Sequence, residues 1–490
     1  MVYIMLRESV QLKLSEYNTL YDLIIPQDNI LRKIKENIDF SFVNPMLKKS
    51  YCEHFGRPAK EPEMMFKLSF LKKLYDLSDE KLMENANMHM AYKYFLNLEP
   101  EAPVVDSSLL TKFRKTRITE DILEEMLAET VRQAIEKGII KSRMIIVDAT
   151  HSKSSAKHET PTQILRRMTK ELRKELYRTQ FELSEKFPDK PCETDDLNDE
   201  IEYSKKLIEV VKNAVEDGGT KKAKKSLTRV EELLENDKIK ELQSAIDEDA
   251  KLGFKSESNS FFGFKTHIAM TEERIITGLE VTTGEAPDGE YLEKLVKQSE
   301  ENGIVVEEVA GDRAYSSKSN LEYAEEKGIK LISKLNPVIS HGSGRAIEGF
   351  VFNKDADTFQ CSCGYLAFRK AVTGKKNKNQ KITYYFDIEK CKNCPYRNGC
   401  YKEGAKSKSY NVTILSELHD SQKAFQETEY FKIRAKQRYM IEAKNAELKQ
   451  AHGLDKSDSM GVVAMRLQSY FTAFVANVKR ITKLATAKTV

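Results

Sequence analysis

The sequence predicts an α/β protein: a core of strands and helices, preceded by a helical N-terminal domain and interrupted by a helical insertion and a small cysteine-rich insertion. Three observations carry this reading. Two apolar runs, Met144-Ile145-Ile146-Val147 and Ile304-Val305-Val306, each lead toward an aspartate, Asp148 and Asp312. Two strand-like segments, 261 to 270 and 274 to 283, flank a polar turn. Charged segments with helical spacing fill most of the remainder. At 490 residues the chain is too long for a single core.

Residues 1 to about 140 read as helical. Glu63 to Tyr75 places apolar residues at helical spacing, Asp76-Leu77-Ser78 breaks it, and Ser78 can cap a second helix from Asp79 to Asn87. Met90 to Leu98 and Asp106 to Thr116 are further short helices; this arrangement suits a helix-turn-helix or a plain bundle equally. Arg143 to Asp148 is a buried strand. From 160 to 250 charge alternates and aromatics are few, predicting helices over 164–187, 199–217 and 223–246 that form an exposed arm. A hairpin turning at Thr271-Glu272-Glu273 follows, then a helix (288–302), a strand (303–310), a helix (317–327) closed by Gly328, and a strand (329–333). A cysteine-containing tract occupies 350–410. Helices over 427–451 and 462–484 complete the chain. With the insertions removed, the order is strand, hairpin, helix, strand, helix, strand, helix, which is the ribonuclease H-like order. It puts Asp148 on the first strand, Asp312 just past the fourth and Glu442 on the helix after the fifth.

The net charge of +4 does not by itself declare a nucleic-acid binder. The distribution is more telling: residues 361–410 hold twelve Lys/Arg against three Asp/Glu, and residues 411–490 hold thirteen against eight. A basic C-terminal third suits phosphate tracking, and suits a solvated lysine-rich surface as well. No apolar stretch approaches the roughly 20 residues that span a membrane, and the first residues lack the pattern of a secretion signal. The expected location is the cytoplasm, with cysteines reduced or metal-bound.

Asp148, Asp312 and Glu442 are the candidate catalytic residues and Mg²⁺ (or Mn²⁺) ligands. Aspartates at adjacent strand ends supply rigid oxygen ligands, a helical glutamate supplies reach, and a pair of such ions supports phosphodiester displacement. Each has a local alternative: Asp148 as a turn cap, Asp312 as a helix cap, Glu442 as a surface charge. Arg438, Glu442, Asn445 and Lys449 are spaced four, three and four apart, so they share a helix face. That face makes Arg438, Asn445 and Lys449 the candidate DNA-binding residues. Asp288, in Ala286-Pro287-Asp288-Gly289, reads as a helix N-cap rather than a fourth acid. Cys361-Ser362-Cys363, Cys391-Lys392-Asn393-Cys394 and Cys400 put five cysteines within forty residues, one more than a tetrahedral zinc site needs. Cys52 and Cys192 read as structural.

These motifs resemble those of DDE-type transposases of bacterial insertion sequences. The third-acid signature of that family, Tyr-x2-Arg-x3-Glu-x6-Lys, is matched at Arg438, Glu442 and Lys449; Ala435 stands where the tyrosine would be. Val147-Asp148-Ala149-Thr150 is similar to the first-acid motif, Gly311-Asp312-Arg313-Ala314-Tyr315 to the second, and Phe262-Gly263-Phe264-Lys265-Thr266-His267 to the second-strand motif. Residues 66–98, Asp106-Ser107-Ser108 and Phe113-Arg114 resemble the N-terminal helical domain. The resemblance implies DNA binding at terminal inverted repeats, cleavage at the element ends, joining of the 3′-hydroxyl to target DNA, and a homodimer or larger assembly. It also implies a subgroup with zinc on Cys361, Cys391, Cys394 and Cys400, leaving Cys363 extra. A nuclease without strand transfer and a catalytically silent DNA-binding regulator are the competing readings. The domains expected are 1–140 (helical, DNA-binding), 141–158 with 251–345 (core), 159–250 (helical insertion), 346–412 (zinc-binding insertion) and 413–490 (C-terminal helices completing the core).

Overall fold

The computed structural model describes residues 15–51, 59–191, 196–236, 239–256, 259–335, 350–353, 356, 358–374, 380–398, 400–413 and 417–489. Cys52 and Cys192 lie outside them.

Among the described residues, eight α-helices come first: α1 (Thr19–Ile24), α2 (Ile30–Asn37), α3 (Val43–Leu47), α4 (Pro62–Leu74), α5 (Asp79–Met88), α6 (Met90–Phe95), α7 (Ser107–Arg117) and α8 (Glu120–Glu136). Ser78 caps α5 by accepting from the Lys81 amide, as its sequence position predicts. Helix α4 is buried almost all round; its Lys67 is neutralised within the helix by Glu63 at 2.7 Å. Strand β1 (Met144–Lys153) follows, and then the arm: α9 (Pro161–Thr179), α10 (Leu197–Gly218) and α11 (Lys221–Glu235). The arm packs through two apolar clusters of its own.

The sheet resumes with β2 (Lys251–Ser256), β3 (Asn259–Thr271) and β4 (Ile276–Thr283). Next come α12 (Leu292–Glu301), β5 (Glu308–Ala310), α13 (Lys318–Lys327) and β6 (Lys330–Ile332). Long β3 lies antiparallel to β1 along one edge and pairs with β2 and β4 along the other. On the far side of β1, β5 and β6 run parallel to it. The order is therefore β2 and β4, then β3, β1, β5, β6.

Beyond β6, a hairpin of β7 (Val351–Asn353) and β8 (Thr358–Gln360) precedes a three-stranded sheet of β9 (Arg369–Thr373), β10 (Lys381–Phe386) and β11 (Lys408–Thr413), with α14 (Ile388–Lys392) between the last two strands. The chain continues with α15 (Glu417–Glu427), α16 (Glu429–Lys436), α17 (Tyr439–His452) and α18 (Val462–Thr489).

Several expectations need correction. Strand β1 does not end at Asp148 but runs five residues further, because β3 continues beside it. The strand expected over 303–310 shrinks to β5; Val305 is exposed. The helix expected from 427 to 451 is two, broken at Gln437-Arg438. Strand β2 is an addition. The N-terminal helices do not keep a core to themselves: one apolar cluster runs from α1 through the sheet into α18. Phe66 of α4 meets Phe471 and Phe474 of α18 at ring separations of 5.4 and 5.3 Å. Asn477 of α18 joins the layers, hydrogen-bonding both backbone groups of Ile276 and the Thr130 hydroxyl.

Candidate active site

Register brings the two aspartates together. Ile146 of β1 lies beside Ala310 of β5, which is the last residue of that strand. Asp148 and Asp312 each follow two residues later, so they emerge side by side where the parallel pairing stops. Gly311 permits the approach: a Cβ there would lie 3.0 Å from Val147 Cγ2 and 2.7 Å from the Tyr315 ring. Asp312 also caps the turn Arg313–Tyr315, its Oδ1 accepting from the Ala314 amide at 2.8 Å.

The crowding shows in the electrostatics. Low-dielectric surroundings, then the Asp312 charge, push the Asp148 carboxyl up to about 7; the Ala149 amide and Arg438 pull the other way, and Asp288 adds to the rise. Two buried polar atoms near this pair have no hydrogen-bond partner, the Tyr315 hydroxyl and Asn445 Oδ1. Burial raises the Tyr315 hydroxyl well above its usual value, with Asp148, Asp288 and Asp312 reinforcing the effect.

Helix α17 lies along the edge of β1 that β5 leaves free. Asn445 Nδ2 donates to Asp148 Oδ2 at 2.9 Å, and Lys449 Nζ sits 3.3 and 3.4 Å from the two ring nitrogens of His151. Arg438, at the N-cap, donates to Glu442 Oε1 at 2.8 Å. Partial burial lowers the basicity of Arg438, but the Glu442 bond and the charges of Asp148, Asp312 and Glu442 raise it further. One guanidinium is thus coupled to all three candidate acids. Helix α16 is tied to the sheet by Arg434, which bonds Glu308 of β5 at 2.6 Å and Glu272 of the hairpin turn at 2.8 Å.

The four spaced residues therefore do share a face, while their contacts differ from expectation. Asn445 touches an acid, and Glu442 is exposed and turned to Arg438. Among the described residues no three His, Cys, Asp or Glu side chains form a ready-made metal cage. Asp148 and Asp312 nonetheless fit a hard cation: the donors are carboxylate oxygens, and their mutual repulsion is what a cation relieves. Asp288 is not an N-cap. Pro287 takes that position, Asp288 begins the turn Asp288–Tyr291, and its carboxylate accepts from Lys265 Nζ at 2.8 Å. His151 and Lys265 were missed as contributors; their contacts are long-range, and the local signal was confined to Lys265, which lies in the second-strand motif, while His151 falls just past the first-acid motif.

The cysteine tract forms a cavity of about 480 Å³ lined by Cys361, Cys363, Cys391, Cys394 and Cys400, with Lys390, Arg397 and Lys408. Cys363 is hydrogen-bonded to Cys394, which raises its thiol; burial, then Cys400 and Cys361, raises Cys391.

Comparison with known proteins gives three matched stretches. Residues 19–116 match the family described as a transposase domain (DUF772), and residues 232–354 and 361–482 match two families described as transposase DDE domains. All three matched families are thus described as transposase domains, two of them as DDE domains. Asp312 and Glu442 fall inside the DDE matches; Asp148 falls outside them. Among curated proteins, an uncharacterized protein, ORF8 in the nfe locus of Rhizobium meliloti, is 33% identical over 115 residues, covering 22% of this chain and 55% of that protein. The chain thus spans about half the length of this curated relative. Among solved structures, the piggyBac transposase synaptic complex with hairpin DNA aligns over 96% of this chain and 76% of its own, at 8% identity and a TM-score of 0.31.

Proposed function

We propose that the protein is a transposase that binds the terminal inverted repeats of its element, cleaves at the element ends and joins the resulting 3′-hydroxyl to target DNA. The observation that carries this reading is the register of β1 and β5, which sets Asp148 beside Asp312 at the sheet edge lined by the Arg438–Glu442 helix. The strand directions, antiparallel from β4 to β1 and parallel from β1 to β6, support a ribonuclease H-like core.

Asp148, Asp312 and Glu442 would hold Mg²⁺, with Glu442 leaving Arg438 to do so. The bound metal would activate the attacking oxygen and stabilise the departing one. Asn445 orients Asp148, while Arg438 and Lys449 neutralise backbone phosphates. In cleavage, a water oxygen bonds to phosphorus, the P–O3′ bond breaks, and the departing oxygen takes up a proton. In joining, that 3′-hydroxyl loses its proton and its oxygen bonds to a target phosphorus while the target P–O3′ bond breaks and the departing 3′ oxygen takes up a proton; one phosphodiester is exchanged for another, so no external energy source enters. Pairing two ends favours at least a homodimer, and a DNA substrate implies residence at the nucleoid. Zinc would take four of the five clustered cysteines, with Cys361 or Cys363 beside Cys391, Cys394 and Cys400. It would brace a basic module spanning 346–412.

The test uses the full chain, Mg²⁺ and DNA carrying the ends that flank its gene. Cleavage with joining to a second duplex is expected; hydrolysis with no joined product would replace the reading by a nuclease. Metal analysis of protein purified without chelator should find one zinc per chain, and freely reactive Cys391, Cys394 and Cys400 would overturn that part.

A further inference from the structure

The loop that carries Asp312 leans on a group of residues to which neither the cleavage nor the joining step assigns a part. Lys265 of β3 donates to Ala286 O and to Asp288 Oδ1, both at 2.8 Å, clamping the turn that follows β4 onto the sheet. Gly289, next in that turn, meets the Asp312 loop backbone to backbone: a Cβ on Gly289 would lie 2.2 Å from the carbonyl oxygen of Ala314. Asn320, buried at the start of α13, bridges the two, its Nδ2 donating to Gly289 O at 2.8 Å and to Tyr315 O at 3.0 Å. The Ala314 amide in turn donates to Asp312 Oδ1. An unbroken chain of contacts therefore runs from a rigid central strand to the second acid.

We propose that Lys265, Asp288, Gly289 and Asn320 are positioning residues that hold the Asp312 carboxylate at the height of Asp148. The inference rests on the site reading above, and it needs no contact between these residues and DNA. A carboxylate used as a metal ligand must be held to a fraction of an ångström, and a short loop outside the sheet has no ladder hydrogen bonds to do so.

The test is hydrogen exchange on the full-length, metal-free protein, followed by Mn²⁺ titration. Asp288→Ala, Lys265→Met and Gly289→Ala should each speed exchange of amides 311–316 at least tenfold while leaving β1 amides unchanged. Asp288→Asn, which can still accept from Lys265, should return the loop to within threefold of wild type. The same three loosening variants should bind Mn²⁺ at least tenfold more weakly. Wild-type protection of 311–316 in both Asp288→Ala and Gly289→Ala would overturn the proposal; should either fail to fold, Lys265→Met decides. A wild-type protein whose Mn²⁺ binding is indifferent to Asp312→Asn would instead overturn the site reading, and the exchange result would still decide the strut.

Discussion

Asp148 is a residue under two opposed demands. As the proposed metal ligand it must be ionised, yet its surroundings and Asp312 favour the protonated form. Because its pKa is raised to about 7 in the fold and is near 3.8 when unfolded, the metal-free protein suffers no penalty below pH 3.8. The penalty grows between those values and is complete above about 7. Asp148→Asn should therefore abolish cleavage, retain DNA binding, and stabilise the metal-free protein at pH 8 by up to about 4 kcal/mol, less what solvent screening removes. Thermal melts at pH 8 and pH 4 check this: the gain should vanish at the lower pH. His267 works in the other direction. Burial lowers its pKa from 6.5 to about 4, with Asp288 opposing and Lys265 assisting. Its ring is stacked on Tyr291 at 4.3 Å and bonded to Thr282 at 2.9 Å. Stability tied to neutral His267 is present above pH 6.5 and lost as pH falls toward 4, amounting to about 3 kcal/mol. Urea melts should show His267→Gln to be less sensitive than wild type across that window.

At the scale of elements, α17 carries three of the proposed site residues, Glu442, Asn445 and Lys449, and its C-terminal end is anchored elsewhere. At its C-terminus, His452 bonds Lys73 O at 2.9 Å and Lys479 at 3.1 Å, and Gly453 adopts the left-handed conformation (φ 66°). A Cβ on Gly453 would lie 2.2 Å from Asp76 Oδ1. Gly453→Ala should thus cost about 1–3 kcal/mol in denaturant melts, more than a left-handed glycine alone would explain. On the exposed face, Lys449→Ala should weaken binding to the element ends and reduce the salt slope by about 0.9. An unchanged slope would remove Lys449 from the DNA interface. Arg438→Ala should chiefly impair metal-dependent cleavage, since an exposed Arg438–Glu442 pair adds little stability. Much of this helix was legible in the sequence, because a four-three-four spacing survives whatever the helix packs against. The break at Gln437-Arg438 was not, since neither residue is a helix breaker and Arg434 fixes the bend through partners more than a hundred residues away. The Asp288 contact was hidden for a similar reason: Pro-Asp-Gly carries a local capping signal, whereas Lys265 lies on another strand.

For the whole molecule, the continuous core means that the N-terminal helices and the sheet should unfold together. Asn477→Ala would leave both Ile276 backbone groups unpaired, and should cost about 2–4 kcal/mol in a single transition seen equally by near- and far-ultraviolet circular dichroism. Early separation of a helical signal would contradict a shared core. The sequence could not reveal this sharing: the apolar residues of α4 fit a self-contained bundle just as well until α18, some four hundred residues later, is set against them. The arm behaves differently. Its apolar clusters are local, and its base is closed by the Glu159 amide donating to Gln243 O at 2.9 Å. Replacing residues 160–242 with a short Gly-Ser link should therefore preserve the melting transition of the rest.

The end of β1 has a further consequence. Lys153 exchanges backbone hydrogen bonds with Asp455 and Ser457, both at 2.8 Å, and Ser152 donates to Leu454 O. The strand bearing the first acid is finished by a segment made some three hundred residues later. During synthesis the chain emerges N-terminal end first, so the nascent protein holds Asp148 on an unfinished strand edge until residue 457 has cleared the ribosome. On the proposed reading, a polypeptide halted after the arm but before that point can fold the arm while the strand edge bearing Asp148 stays unfinished, so a truncated product would lack the site that the full chain is proposed to use for cutting.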